Sequence, residues 1–113
     1  MSIYFKCKRD DLRPVLNQLR GSISHTHTKG LTLPLSIIFE PKAMRFTCLE
    51  QTLSIVGVCD KKAQVDLPFR IFWKALADHS SENFTGVIKE GKLKIGSYEV
   101  NDDQIHIKFT SKD

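Results

Sequence analysis

Cysteine, glycine and long apolar runs are all scarce in this sequence, and each shortage excludes a class of protein. The three cysteines, Cys7, Cys48 and Cys59, are odd in number, widely spaced and set among apolar residues. That pattern suits buried reduced thiols rather than a secreted disulfide framework, so a reducing cytoplasm is the expected setting. No stretch approaches the roughly 18 apolar residues of a membrane-spanning helix. The opening MSIYFKCKRDD also lacks the apolar run of a signal peptide. Neither export, anchoring nor a membrane partner is expected.

Motifs that carry chemistry are equally thin. Gly57, Gly86, Gly91 and Gly96 stand singly in strands or turns, so there is no glycine-rich phosphate cradle and no nucleophile elbow. His25 and His27 could set two imidazoles on one side of an extended segment, but zinc needs three or four ligands and no matching pair lies nearby. Asp102 and Asp103 form a turn pair with no partner carboxylate, and the cysteines alternate inward on strands. The expectation is a protein without catalysis, cofactor, metal or small-molecule substrate.

What is present is core material and a mild positive charge. Hydrophobic residues make up 41% and charged residues 27% of the chain, which excludes disorder, and 113 residues make one ordinary domain, 1–113. The net charge of +4 permits a nucleic-acid partner without demanding one. The alternative is lysine spread over the surface for solubility.

Periodicity assigns the elements. Ile3, Phe5 and Cys7 alternate with Tyr4, Lys6 and Lys8 as a half-buried strand. Asp10 or Asp11 then caps a helix with Leu12, Val15, Leu16, Leu19 and Ile23 on one face and Arg13, Asn17, Arg20 and Ser24 along its flank. Pro14 falls in its first turn or just after, and Gly21 and Ser22 mark its fraying end. SHTHTKGLTLP reads as a loop. Strands follow over 35–40, 44–48 and 53–59, a three-strand meander.

A short strand, 64–67, leads into the most convincing helix of the second half, Pro68 to Ser80. There Phe69, Phe72, Trp73 and Leu76 share the buried face, and Arg70, Lys74 and Asp78 the wet one. Trp73 reads as core, with a partly exposed anchor for a partner peptide as the alternative. Three more strands are expected: one through Phe84, Gly86 and Ile88, a return through Leu93, Ile95 and Tyr98, and a last one through Ile105, Ile107 and Phe109. The order strand, helix, three strands therefore occurs twice, over about 1–61 and 62–113, as an internal repeat.

With those residues in place, IYFKCKRDDLRPVLNQLRGSI, LTLPL, RFTCLEQTLSIVGV, VDLPFRIFWKAL and LKIGSYEV together resemble one domain of a DNA sliding clamp, nearest to the bacterial DNA polymerase III beta subunit. Arg9-Asp10-Asp11-Leu12, Thr32-Leu33-Pro34 and Pro68-Phe69-Arg70-Ile71-Phe72 carry the likeness. The resemblance implies an α+β, DNA-clamp-like fold with a pseudo-twofold repeat, two helices packed on antiparallel sheets, and helices that line the hole of a ring.

Carried over residue by residue, it places duplex-DNA contacts at Arg13, Asn17 and Arg20 on the first helix, Lys29 in the following loop, and Arg70 and Lys74 on the second. Such cations attract phosphates without reading bases. It also implies a role beside replication or repair machinery. Clamp rings hold six such domains, so a chain supplying one would have to form a head-to-tail homohexamer. The competing expectation is a small interaction module, adaptor or inhibitor, that self-associates or binds a protein partner through exposed strand edges.

Overall fold

The computed structural model describes residues 2–24 and 34–109, the side chains of 22–24 excepted. Elements run in the order β1 (Ser2–Lys8), α1 (Arg9–Ser24), β2 (Pro34–Glu40), β3 (Ala43–Cys48), β4 (Gln51–Cys59), β5 (Ala63–Pro68), α2 (Phe69–Ala77), β6 (Asn83–Lys89), β7 (Lys92–Ile95), β8 (Tyr98–Asn101) and β9 (His106–Phe109). The strands are antiparallel and ordered β8-β7-β6-β1-β4-β3-β2-β5-β9. This is an α+β architecture of two helices on antiparallel strands, as the sequence led us to expect.

One long strand joins two sheets. The first part of β4, Gln51 to Val56, pairs with β3, and its end, Gly57 to Cys59, pairs with β1. The second half repeats this pattern with a break. β8 pairs with β7, a turn intervenes, and β9 then pairs with β5. Each half also lends its post-helix strand to the other, since β6 pairs with β1 and β2 with β5. The pairings therefore follow a twofold pattern in which β8 and β9 together stand where β4 stands alone.

Some expected boundaries move. The single return strand through Leu93, Ile95 and Tyr98 is two strands, because Gly96 adopts φ 60 and turns the chain between Ile95 and Tyr98. The matching turn between Cys48 and Gln51 puts Leu49 at φ 57. Arg9 opens α1 directly, so Asp10 and Asp11 sit in its first turn, where their charge complements the helix dipole instead of capping it. Pro14 lies inside α1, and the helix continues past Gly21 to Ser24. Pro68 belongs to β5 and is the N-cap of α2, which ends at Ala77 with Asp78 as C-cap. Its fixed φ of −62 and missing N–H suit a strand end that turns into a helix.

The core sits between helices and strands. Leu12, Leu16 and Leu19 of α1 meet Phe69, Ile71, Phe72, Ala75 and Leu76 of α2 and the inward strand residues. Phe72 is the hub, its ring centroid 6.3 Å from Phe5, 5.9 Å from Phe46 and 5.6 Å from Phe84. Strand alternation explains the rest: Ile3, Phe5 and Cys7 are buried, and Tyr4, Lys6 and Lys8 are exposed. Cys7, Cys48 and Cys59 are all buried free thiols. Among the described residues, no helix is long and apolar enough to cross a membrane.

Candidate nucleic-acid interface

Helical spacing decides which side chains reach water on the helix side of the molecule. On α1 the leucines at 12, 16 and 19 face the strands, so Arg13, Asn17 and Arg20 are left on the outside. On α2 the buried stripe leaves Arg70 and Lys74 exposed. The helices meet along a groove of about 230 Å³ lined by Arg9, Arg13 and Asn17 from α1 and by Trp73, Leu76 and Ala77 from α2. Arg9 and Arg13 of α1 thus line the groove, whereas α2 lends it Trp73, Leu76 and Ala77 and carries Arg70 and Lys74 exposed on its surface. Asp10, Asp11 and Asp78 are exposed on the same two helices and dilute the charge.

The candidates differ in how free they are. Arg20 lies over the Trp73 indole, 5.1 Å from its centroid, which is cation–π distance. Arg70 is 3.6 Å from Asp102, a carboxylate in the turn between β8 and β9. Arg13 and Lys74 form no ion pair among the described residues, so their charges are uncommitted. Lys29 lies outside the described residues.

Trp73 is partly buried and packs against the core, between the core position and the partly exposed one that its sequence position allowed. It stacks on Phe69 at 6.1 Å with a 21° interplanar angle, and one edge lines the groove. Ile71, absent from the expected stripe, is buried instead.

Arg9 is the residue that sequence reasoning missed. It lines the groove, and its Nε is buried without a hydrogen-bond partner among the described residues. The signal was available: Arg9, Arg13 and Asn17 are spaced four apart and stack along one helix face once α1 is known to begin at 9.

The alternatives to an anion-binding surface are weaker in geometry. A polar depression of about 380 Å³ at the end of α2 holds Asp78, His79, Ser80, Ser97 and Tyr98. His79 is committed there to the Asn83 carbonyl, 2.6 Å from its Nε2, and packs edge-on against Phe84. Burial pushes the Tyr98 hydroxyl up, Asp78 adds to the rise, and Arg70 opposes it, so the phenol stays protonated. Burial also raises Cys48, lifts Cys7 to about 12 and lifts Cys59 to about 11. None of these thiols is a nucleophile at neutral pH. No cluster of three metal-ligating side chains occurs among the described residues.

No protein-family model matches the chain. No curated protein matches it either. Solved structures do. The chain is similar to the beta sliding clamp of Caulobacter crescentus, at 10% identity over 96% of this chain and 31% of that one, with a TM-score of 0.68. It is similar to the sliding clamp, DNA polymerase III subunit beta, of Pseudomonas aeruginosa, at 14% identity over 96% and 31%, with a TM-score of 0.65. A second Caulobacter crescentus pol III beta structure gives 10% identity, 97% and 32% coverage, and a TM-score of 0.67. These likenesses establish the sliding-clamp fold, and the chain spans about a third of the length of the clamp chains it matches.

Proposed function

We propose that this chain is a non-catalytic clamp-fold protein that holds duplex DNA without reading its sequence, through the outer faces of α1 and α2, in company with replication or repair machinery in the cytoplasm. The observation that carries the reading is the groove that the two helices share. Arg9, Arg13 and Asn17 face Trp73, Leu76 and Ala77 across one groove, Arg20 lies over Trp73, and Arg70 and Lys74 are exposed on α2. Cations spread over a helical surface favour phosphate contact over base readout.

Encircling a duplex needs a closed head-to-tail series of such domains, so the reading includes self-association, six copies to a ring. Two strand edges bear on this. β9 is capped at its start, because Glu90 Oε1 accepts the Ile107 N–H at 3.0 Å and, just before the strand, the Ile105 carbonyl accepts the Gly91 N–H at 2.8 Å. β8, Tyr98 to Asn101, ends its sheet with no strand beyond it among the described residues. A head-to-tail contact joins two different edges, so β8 of one copy would meet the first part of β4 of the next, which pairs with β3 on one side only among the described strands. The β8 edge also supports the second reading, a small interaction module that adds a partner's strand there.

The test is fluorescence anisotropy of a labelled duplex of scrambled sequence at rising salt, with the Arg13→Glu, Lys74→Glu double variant beside the parent. The reading expects affinity to fall by orders of magnitude between about 50 and about 200 mM salt, and the double variant to bind at least about tenfold more weakly. Salt-independent binding, or an unchanged double variant, defeats the helix-face assignment. Light scattering separates the assemblies: six copies support a ring, whereas one copy leaves nothing to encircle DNA.

A further inference from the structure

Exposed apolar side chains gather on the outer face of the strands, opposite the buried residues that meet the helices. Among the described residues the exposed large hydrophobics are Tyr4, Leu49, Val56 and Val58, and three of the four lie on the outward face of β1 and β4 at 57%, 75% and 62% exposure. Cross-strand pairing puts Val58 opposite Lys6, and Tyr4 opposite Val87, which is itself opposite Lys94. A largely apolar groove of about 300 Å³ runs here, where β4 leaves β1 to join the other sheet, lined by Tyr4, Lys6, Val58, Asp60 and Thr85. Tyr4, Val56 and Val58 keep apolar area in water that burial against a partner would remove, and they adjoin a groove whose surface is largely apolar.

The rim of this strip is positive. Asp60 is already committed, since its Oδ1 accepts the Tyr4 N–H at 2.9 Å and its Oδ2 is 3.3 Å from Lys61. Glu99 is paired with Lys92 at 2.8 Å. Lys6 and Lys8 form no ion pair among the described residues, and Lys89 and Lys94 form none either, although both act on Glu99, which stands opposite Lys94. The complement is therefore a ligand with apolar side chains at its centre and carboxylates at its edges. A second copy of this chain, at net charge +4, is a poor complement, and the phosphate backbone of nucleic acid offers nothing to Val56, Val58 and Val87.

We infer that the outer face of β1, β4 and β6 is a docking site for an acidic, amphipathic protein segment, seated on Tyr4 and Val58 and flanked by Lys6 and Lys94. The site is independent of the helix faces and would let a partner bind while they hold DNA.

The experiment is a selection of random displayed peptides on the whole chain, with Val58→Asp, Lys6→Glu and Lys74→Glu as comparison variants. Both outer-face side chains are exposed, and circular dichroism melts confirm that each variant is folded. The inference expects enriched peptides that combine Asp or Glu with Leu, Ile or Phe. These should lose at least about tenfold in affinity on Val58→Asp and on Lys6→Glu, equal to 1.4 kcal/mol or more, while Lys74→Glu leaves binding unchanged. It is overturned by an absence of enrichment, by neutral or basic peptides, or by peptides that bind Val58→Asp as well as the parent. It is also overturned if duplex DNA binding is lost on Lys6→Glu and kept on Val58→Asp, which makes the face a nucleic-acid surface.

Discussion

The guanidinium of Arg20 sits 5.1 Å from the centre of the Trp73 ring and ties the middle of α2 to the far half of α1. The contact joins the two repeats across their shared groove, so it contributes to stability as well as to charge. Trp73→Ala removes a half-buried ring that also stacks on Phe69, and about 2 to 3 kcal/mol of unfolding free energy should go with it, somewhat less than for a fully buried aromatic. Arg20→Ala should cost about 0.5 to 1 kcal/mol. Urea unfolding of both single variants and the double variant checks this. The double should cost less than the sum of the singles, because each single already loses the pair.

Asp102 holds Arg70 at 3.6 Å while its other oxygen accepts the Gln104 N–H at 2.8 Å. Asp102→Asn keeps the turn bond, since an amide oxygen also accepts, and releases the arginine. Duplex affinity should therefore rise, and the plot of log affinity against log salt should steepen by about 0.9, one extra phosphate contact. An unchanged slope would mean that Arg70 never reaches a phosphate. The ion pair is half-exposed, so the stability change should be small.

Much of the fold was legible because strand alternation and helical spacing are local signals. Ile3-Phe5-Cys7 and Leu12-Leu16-Leu19 declare their faces without any knowledge of the rest. The split between β7 and β8 was hidden, since Leu93, Ile95 and Tyr98 look like one apolar run unless Gly96-Ser97 is read as a turn. What sets the state of each cation was not legible at all. Arg20 meets Trp73, and Arg70 meets Asp102, across gaps in sequence that only packing closes. Spacing puts a residue on a face but does not name its partner from another element.

The two turns that close β3–β4 and β7–β8 make opposite predictions. Gly96 has φ 60, and a methyl group there would stand 3.6 Å from the His79 ring, an ordinary contact, so Gly96→Ala should lose about 1 kcal/mol through backbone strain alone. Leu49 adopts φ 57 with a branched side chain that is 48% exposed. Leu49→Asn suits that conformation better and should gain about 0.5 to 1 kcal/mol. Thermal melts of the two variants should move in opposite directions.

Acid should open the molecule first where Glu90 clips the second hairpin to the edge of β9. Its carboxyl is held below the ordinary value of 4.5, chiefly by the Ile107 N–H and then by His106, whose Nδ1 is 2.8 Å away. A carboxyl with a lowered folded value binds protons more weakly folded than unfolded. The stability it contributes is therefore whole above the ordinary value and drains away as pH falls through the lowered one. Glu90→Gln keeps an oxygen for the Ile107 N–H and removes the charge that titrates. Melts of parent and variant should differ near pH 6 and converge by about pH 3, where the parent carboxyl is protonated as well. Glu99, which is also lowered by Lys92, titrates equally in both proteins, so the difference between the two curves reports Glu90 together with its partner His106. A constant gap from neutral to acid would show that the clip acts through shape alone, and the capped start of β9 would then need no charge to stay closed.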